Sequence, residues 1–112
     1  MKHDLLSNMT RGWFVGDFLP AVARSKDCEV AIQRFRAGDK EAVHHHRVAT
    51  EITVILSGEA IMFGRHCRDG DIVTIEPGEA TSFEAITDVT TVVVKLPSVA
   101  GDKFFGEYEP NT

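Results

Sequence analysis

Residues Gly38 to Gly58 read GDKEAVHHHRVATEITVILSG, and the reading of this stretch decides the fold. It opens on Gly38-Asp39 and closes on Ser57-Gly58, both turn signals. Between them nothing recurs at the i, i+3, i+4 spacing of a helix, while Ile52 to Leu56 is a short apolar run suited to a strand. Three consecutive histidines, His44 to His46, stand ahead of a lone acid, Glu51. Side chains alternate along a strand, so His44 and His46 share a face and His45 takes the other. Alternate Cα atoms lie roughly 6.5–7 Å apart, a gap that two imidazoles can span to reach one ion. Glu51 is five residues beyond His46, an odd step that turns it the wrong way on a straight strand. It joins the pair only if the chain bends within Arg47-Val48-Ala49-Thr50, most simply into a neighbouring strand. That segment contains no glycine or proline to signal a bend. Two imidazoles and a carboxylate on one face make a site of the facial-triad kind, with positions open for water and substrate. The alternative is a solvated polar strand end.

Working outward, Glu29 to Ala37 alternates as a strand, with Val30, Ile32, Arg34 and Arg36 on one face and Ala31, Gln33 and Phe35 on the other. Ala60–Phe63 and His66–Arg68 form the arms of a hairpin about Gly64, followed by a turn at Asp69-Gly70-Asp71. Ile72–Glu76 is a strand stopped by Pro77-Gly78, Ser82–Ile86 is another, and Val89–Leu96 is rich in β-branched residues. Thr10 to Phe18 carries three aromatics that need cover. It suits a strand added to an edge of the domain's own sheet or of a partner subunit. After Pro97 an irregular tail is expected. Seven or eight short strands with turns between them predict an all-β sandwich or small barrel with little or no helix.

At 112 residues the chain is one domain. Its formal charge of −5 and lack of a basic stripe exclude nucleic acid and anionic membrane as general partners. No apolar run approaches a membrane span, and Met1-Lys2-His3-Asp4 leads into no signal-peptide core, so the expected location is the cytoplasm. Cys28 and Cys67 make neither a CxxC pair nor a disulfide framework and are expected to be reduced thiols.

The landmarks Gly38, His44-x-His46, Glu51 and Gly58 resemble the first motif of the cupins. Gly70-Asp71-Ile72-Val73-Thr74-Ile75-Glu76-Pro77-Gly78, with Phe83 following, is similar to the second. The resemblance implies a small single-domain cupin, a jelly-roll barrel of two antiparallel sheets. Residues 1–28 would be an N-terminal arm and connection, 29–96 the barrel core, and 97–112 a C-terminal tail. It also implies a divalent ion (Fe, Mn, Ni or Zn) held by His44, His46 and Glu51. The fourth cupin ligand, a histidine, falls here on Thr81, a poor ligand for such ions. Three readings stay open: a three-ligand site completed by water, substitution by Glu79 or Glu84, and a pocket that has lost its metal.

Glu79 and Glu84 are the candidate general bases. Arg34, Arg36, Thr53, Thr81 and Phe83 are candidate pocket residues, an arginine there being able to clamp a carboxylate or phosphate. His45 is expected at the surface or an interface, His66 in solvent, and Trp13, Phe14 and Phe18 in packing or dimer contacts. Two function classes follow. One is a metal-dependent oxygenase, isomerase or lyase acting on a small polar metabolite. The other is a non-catalytic ligand-binding or regulatory module. By resemblance, the chain is expected to form a homodimer.

Overall fold

The structure, a computed structural model, describes residues 1–110. Eleven strands follow one another: β1 (Trp13–Gly16), β2 (Ala23–Arg24), β3 (Glu29–Phe35), β4 (Lys40–His45), β5 (Thr50–Ser57), β6 (Glu59–Met62), β7 (Arg65–Arg68), β8 (Ile72–Ile75), β9 (Ala80–Ala85), β10 (Val89–Leu96) and β11 (Phe104–Phe105). A single 3₁₀ turn, Leu6–Asn8, is the helical content of the described residues. The strands form two sheets, ordered β2-β1-β3-β10-β5-β8 and β11-β4-β9-β6-β7. Every neighbouring pair is antiparallel except β1 with β2. This is the all-β, two-sheet jelly roll expected from the sequence.

The β-branched run of β10 is the spine of the six-stranded sheet, paired along its length with β3 and β5. Strand β1 joins the edge of the chain's own sheet, one of the two placements the sequence left open. The segment after Pro97 is more ordered than the irregular tail expected, since β11 pairs with β4 and Asp102 is buried. Residues 111–112 of that tail lie outside the described residues.

The two inner faces grade from apolar at one end to polar at the other. Ile55, Ala60, Met62, Cys67, Ile75, Phe83, Ala85 and Val89 form a continuous core, and Phe35 packs on Phe83 with ring centroids 4.5 Å apart. Going the other way, the inward residues of β5 run Ile55, Thr53, Glu51, and those of β9 run Ala85, Phe83, Thr81. One end of the barrel is filled. The other is a cavity of about 620 Å³. Cys67 belongs to the filled end, where burial pushes its thiol pKa up, and Cys28 is half-buried; both are free thiols.

The β5–β6 turn depends on a glycine. Gly58 has φ of +94°, and a Cβ there would lie 2.1 Å from the Asp88 carbonyl oxygen. The nearest atom is main chain and cannot swing aside as the end of a flexible side chain could. Gly58→Ala is expected to lower unfolding stability by about 2 kcal/mol, combining left-handed strain with that clash. A urea midpoint equal to wild type would count against this.

Candidate metal centre

Strand β4 supplies the two histidines, and their facing depends on an irregularity. Lys40 and Glu41 pair with Glu84 and Phe83, but His44 pairs with Thr81, so β4 spends three steps where β9 spends two. This bulge brings Glu41 and His44 to the same inner face despite their odd spacing. His46, just past the strand, faces the same way, and the two rings meet edge to face with centroids 5.5 Å apart. The chain then crosses to the other sheet and begins β5, whose first inward residue is Glu51. One ligand atom from each of His44, His46 and Glu51 lies within 4.8 Å of the others, and all three residues are buried.

The crossing that brings Glu51 round is clasped by a residue far along the chain. The buried carboxylate of Asp102 accepts N–H bonds from Arg47 (2.8 Å), Val48 (3.1 Å) and Ala49 (2.9 Å). Burial acts to raise the Asp102 pKa, but these backbone donors outweigh it and hold the carboxyl below its usual range. The bend therefore needs no glycine or proline of its own.

The ligand side chains are oriented by their neighbours. His44 Nδ1 lies 3.0 Å from the Ala42 carbonyl oxygen, which can only accept. Nδ1 therefore carries the proton, which leaves Nε2 as the ring nitrogen able to ligate. Thr53 donates its hydroxyl to Glu51 Oε2 at 3.1 Å. Burial raises the Glu51 pKa, opposed by Lys95 and the Thr53 hydrogen bond. Burial, aided by Lys95 and His44, lowers the His46 pKa to about 4, so this ring is neutral at pH 7, the state in which imidazole ligates. His46 Nε2 is buried without a hydrogen-bond partner among the described residues. An orphaned buried nitrogen is costly unless something occupies it. The donor set, two imidazoles and a carboxyl group, fits a divalent transition ion or zinc.

Among the other sequence candidates, Thr53, Thr81 and Phe83 line the cavity, and Arg34 reaches it as an exposed side chain. Thr81 is buried directly opposite His44, but its hydroxyl donates to the Ser82 carbonyl oxygen at 2.9 Å rather than facing the cluster. Arg36 is exposed and away from the cavity; on β3 it is Ala31, Gln33 and Phe35 that face inward. The two candidate bases are also elsewhere. Glu79 is exposed and accepts the Glu76 N–H at 2.8 Å, closing the Pro77-Gly78 turn. Glu84 alternates outward on β9 and pairs with Lys40 at 3.9 Å.

Four cavity-lining charges were missed from sequence, Arg11, Glu41, Lys95 and Lys103. His45 does face away from the pair as expected, but it is buried rather than superficial. Its Nδ1 donates to the Gly106 carbonyl at 2.8 Å, its Nε2 accepts from Arg47 at 3.3 Å, and Phe104 stacks on it. His66 is half-exposed beside Glu59 at 3.3 Å.

No family model and no curated protein matches the chain by sequence. Solved structures do match. A conserved protein with a double-stranded β-helix domain from Klebsiella pneumoniae superposes with a TM-score of 0.68 at 25% identity, covering 75% of this chain and 74% of that one. A predicted oxalate decarboxylase from Thermotoga maritima gives 0.57 at 27% identity, covering 61% and 64%. An RmlC-like cupin from Shewanella frigidimarina gives 0.63 at 18% identity, covering 67% and 70%.

Proposed function

We propose that this chain, a small single-domain cupin in fold, is a divalent-metal-dependent enzyme acting on a small polar metabolite. The observation that carries the reading is the convergence of His44, His46 and Glu51, buried, on one point in a cavity of about 620 Å³. That volume lies within the usual range for metabolite sites. When bound, the ion would act as a Lewis acid on a substrate oxygen or, if iron, support oxygen chemistry. The remaining roles fall to the chain itself. Thr53 and the Ala42 carbonyl fix the Glu51 and His44 donors, and Glu41 is the acid placed to exchange a proton inside the cavity. Likeness to the Thermotoga maritima protein, of which this chain spans 64%, supports an enzymatic role without choosing among oxygenase, isomerase and lyase.

A non-catalytic, ligand-binding reading is favoured by one observation: Thr81, at the place of the fourth cupin ligand, turns its hydroxyl to Ser82. Elemental analysis of untagged protein separates the two. About one ion per chain is expected in wild type and none in a His44→Ala/His46→Ala variant. Wild-type protein that is metal-free and takes up none of Fe²⁺, Mn²⁺, Ni²⁺ or Zn²⁺ would overturn the metal reading.

A homodimer belongs to the same proposal. It is supported by exposed Leu56, Ile72 and Leu96 on the outer side of the six-stranded sheet. A cytoplasmic setting is supported by the two free thiols. No helix among the described residues is long and apolar enough to cross a membrane.

A further inference from the structure

The inward residues of β10 run Val89, Thr91, Val93 and then Lys95, a cation at the polar end of the barrel. Its side chain is only 16% exposed. Register sets it directly beside Glu51 on β5 and Glu29 on β3, so three charged residues form one row across the inner face. Lys95 Nζ lies 4.0 Å from Glu29 Oε1 and 4.9 Å from the centroid of the Trp13 ring. At 4.0 Å no hydrogen bond closes. Glu29 is meanwhile engaged by the Ser98 hydroxyl at 2.8 Å. The ammonium carries three donors, and none makes a hydrogen bond among the described residues. A ring face and a distant acid hold it in place, with its donors left for a third group.

The charge of the cavity points the same way. Arg11, Arg34, Lys95 and Lys103 line it against Glu41 and Glu51. With Glu29, which shares the inner row with Lys95, four cations face three acids, a local excess of +1 in a chain whose formal charge is −5. A local excess of one sign in a cleft draws ligands of the other. Among the described residues the cavity has neither a glycine-rich loop, Gly12 being its single glycine, nor the N-terminus of a long helix, the devices that supply the several backbone donors a phosphate needs. One ammonium supplies a single point charge with three donors, enough to hold one carboxylate.

We propose that the cavity takes a small organic carboxylate and that Lys95 is its anchor and specificity-determining residue. The carboxylate sits on the ammonium while the rest of the molecule reaches the His44, His46 and Glu51 centre. The inference rests on the metal reading of that centre, and the test keeps the two apart.

Acetate, glycolate and malonate, their neutral amides, and methyl phosphate are titrated calorimetrically into wild type, Lys95→Met, Lys95→Gln and Lys95→Arg. The metal content of every sample is measured alongside. At least one carboxylate is expected to bind wild type about tenfold or more tighter than its amide. That preference should vanish in Lys95→Met and Lys95→Gln with metal content unchanged, and persist in Lys95→Arg. Wild type with no preference for a carboxylate over its amide, tighter binding of methyl phosphate, or an intact preference in both neutral variants would overturn the anchor. Metal-free wild type that keeps the preference would overturn the metal reading and leave the anchor standing.

Discussion

With His44 replaced by alanine, divalent-ion affinity falls by about 10³-fold or more, beyond the roughly 10–100-fold that loss of an outer hydrogen-bond partner costs. The site has three candidate protein donors, and His44 is the one whose ring is locked by a main-chain carbonyl. Two donors cannot hold an ion against water as three do. His46→Ala and Glu51→Gln should be equally severe. Thr53→Val, which removes only the hydroxyl steadying Glu51, should fall in the milder range. Competition with a chelator of known affinity measures all four. Thr53→Val as damaging as His44→Ala, or His44→Ala close to wild type, would contradict the assignment of donors.

Asp102→Ala is expected to lower unfolding stability by about 3 kcal/mol and to weaken metal binding as well, although Asp102 touches no ligand atom. The cost comes from the N–H groups of Arg47, Val48 and Ala49, which lose their acceptor together. Asp102→Asn keeps one acceptor oxygen and should fall between. Acid sensitivity follows from the depressed carboxyl pKa. The stabilisation is fully present above the unfolded value of about 3.9 and is lost as pH falls through the lower folded value. Urea midpoints of wild type and Asp102→Asn should therefore keep their separation from pH 7 to about pH 5 and begin to converge as pH falls below the unfolded value. Parallel curves would show that the clasp carries no such linkage.

The barrel was legible because turn residues and alternating strands repeat along the chain, and the shared face of His44 and His46 followed from strand alternation alone. Glu51 was harder. Its parity demanded a bend that the intervening residues do not announce, and the acid that holds the bend lies 55 positions beyond Arg47. Glu41 was hidden because it stands three residues before His44, a spacing that opposes them unless a bulge intervenes. Glu79 and Glu84 were misjudged because nearness in sequence to Thr81 is not nearness in space, and one alternation step turns Glu84 outward. Arg36 hung on which face of β3 is inner, and Phe35 joins the core while it does not, whereas Arg34, though exposed, still reaches the cavity. Lys95 escaped notice because valines on both faces of β10 mask which side is which.

Synthesis runs from the N-terminus, so both imidazoles and Glu51 leave the ribosome about fifty residues ahead of Asp102. Until that later residue docks, the three donors belong to one floppy segment with no fixed separation. On the proposed metal reading, an ion meets donors whose separation is set only once the Asp102 clasp has closed, so a finished cage rather than a bare run of histidines selects it.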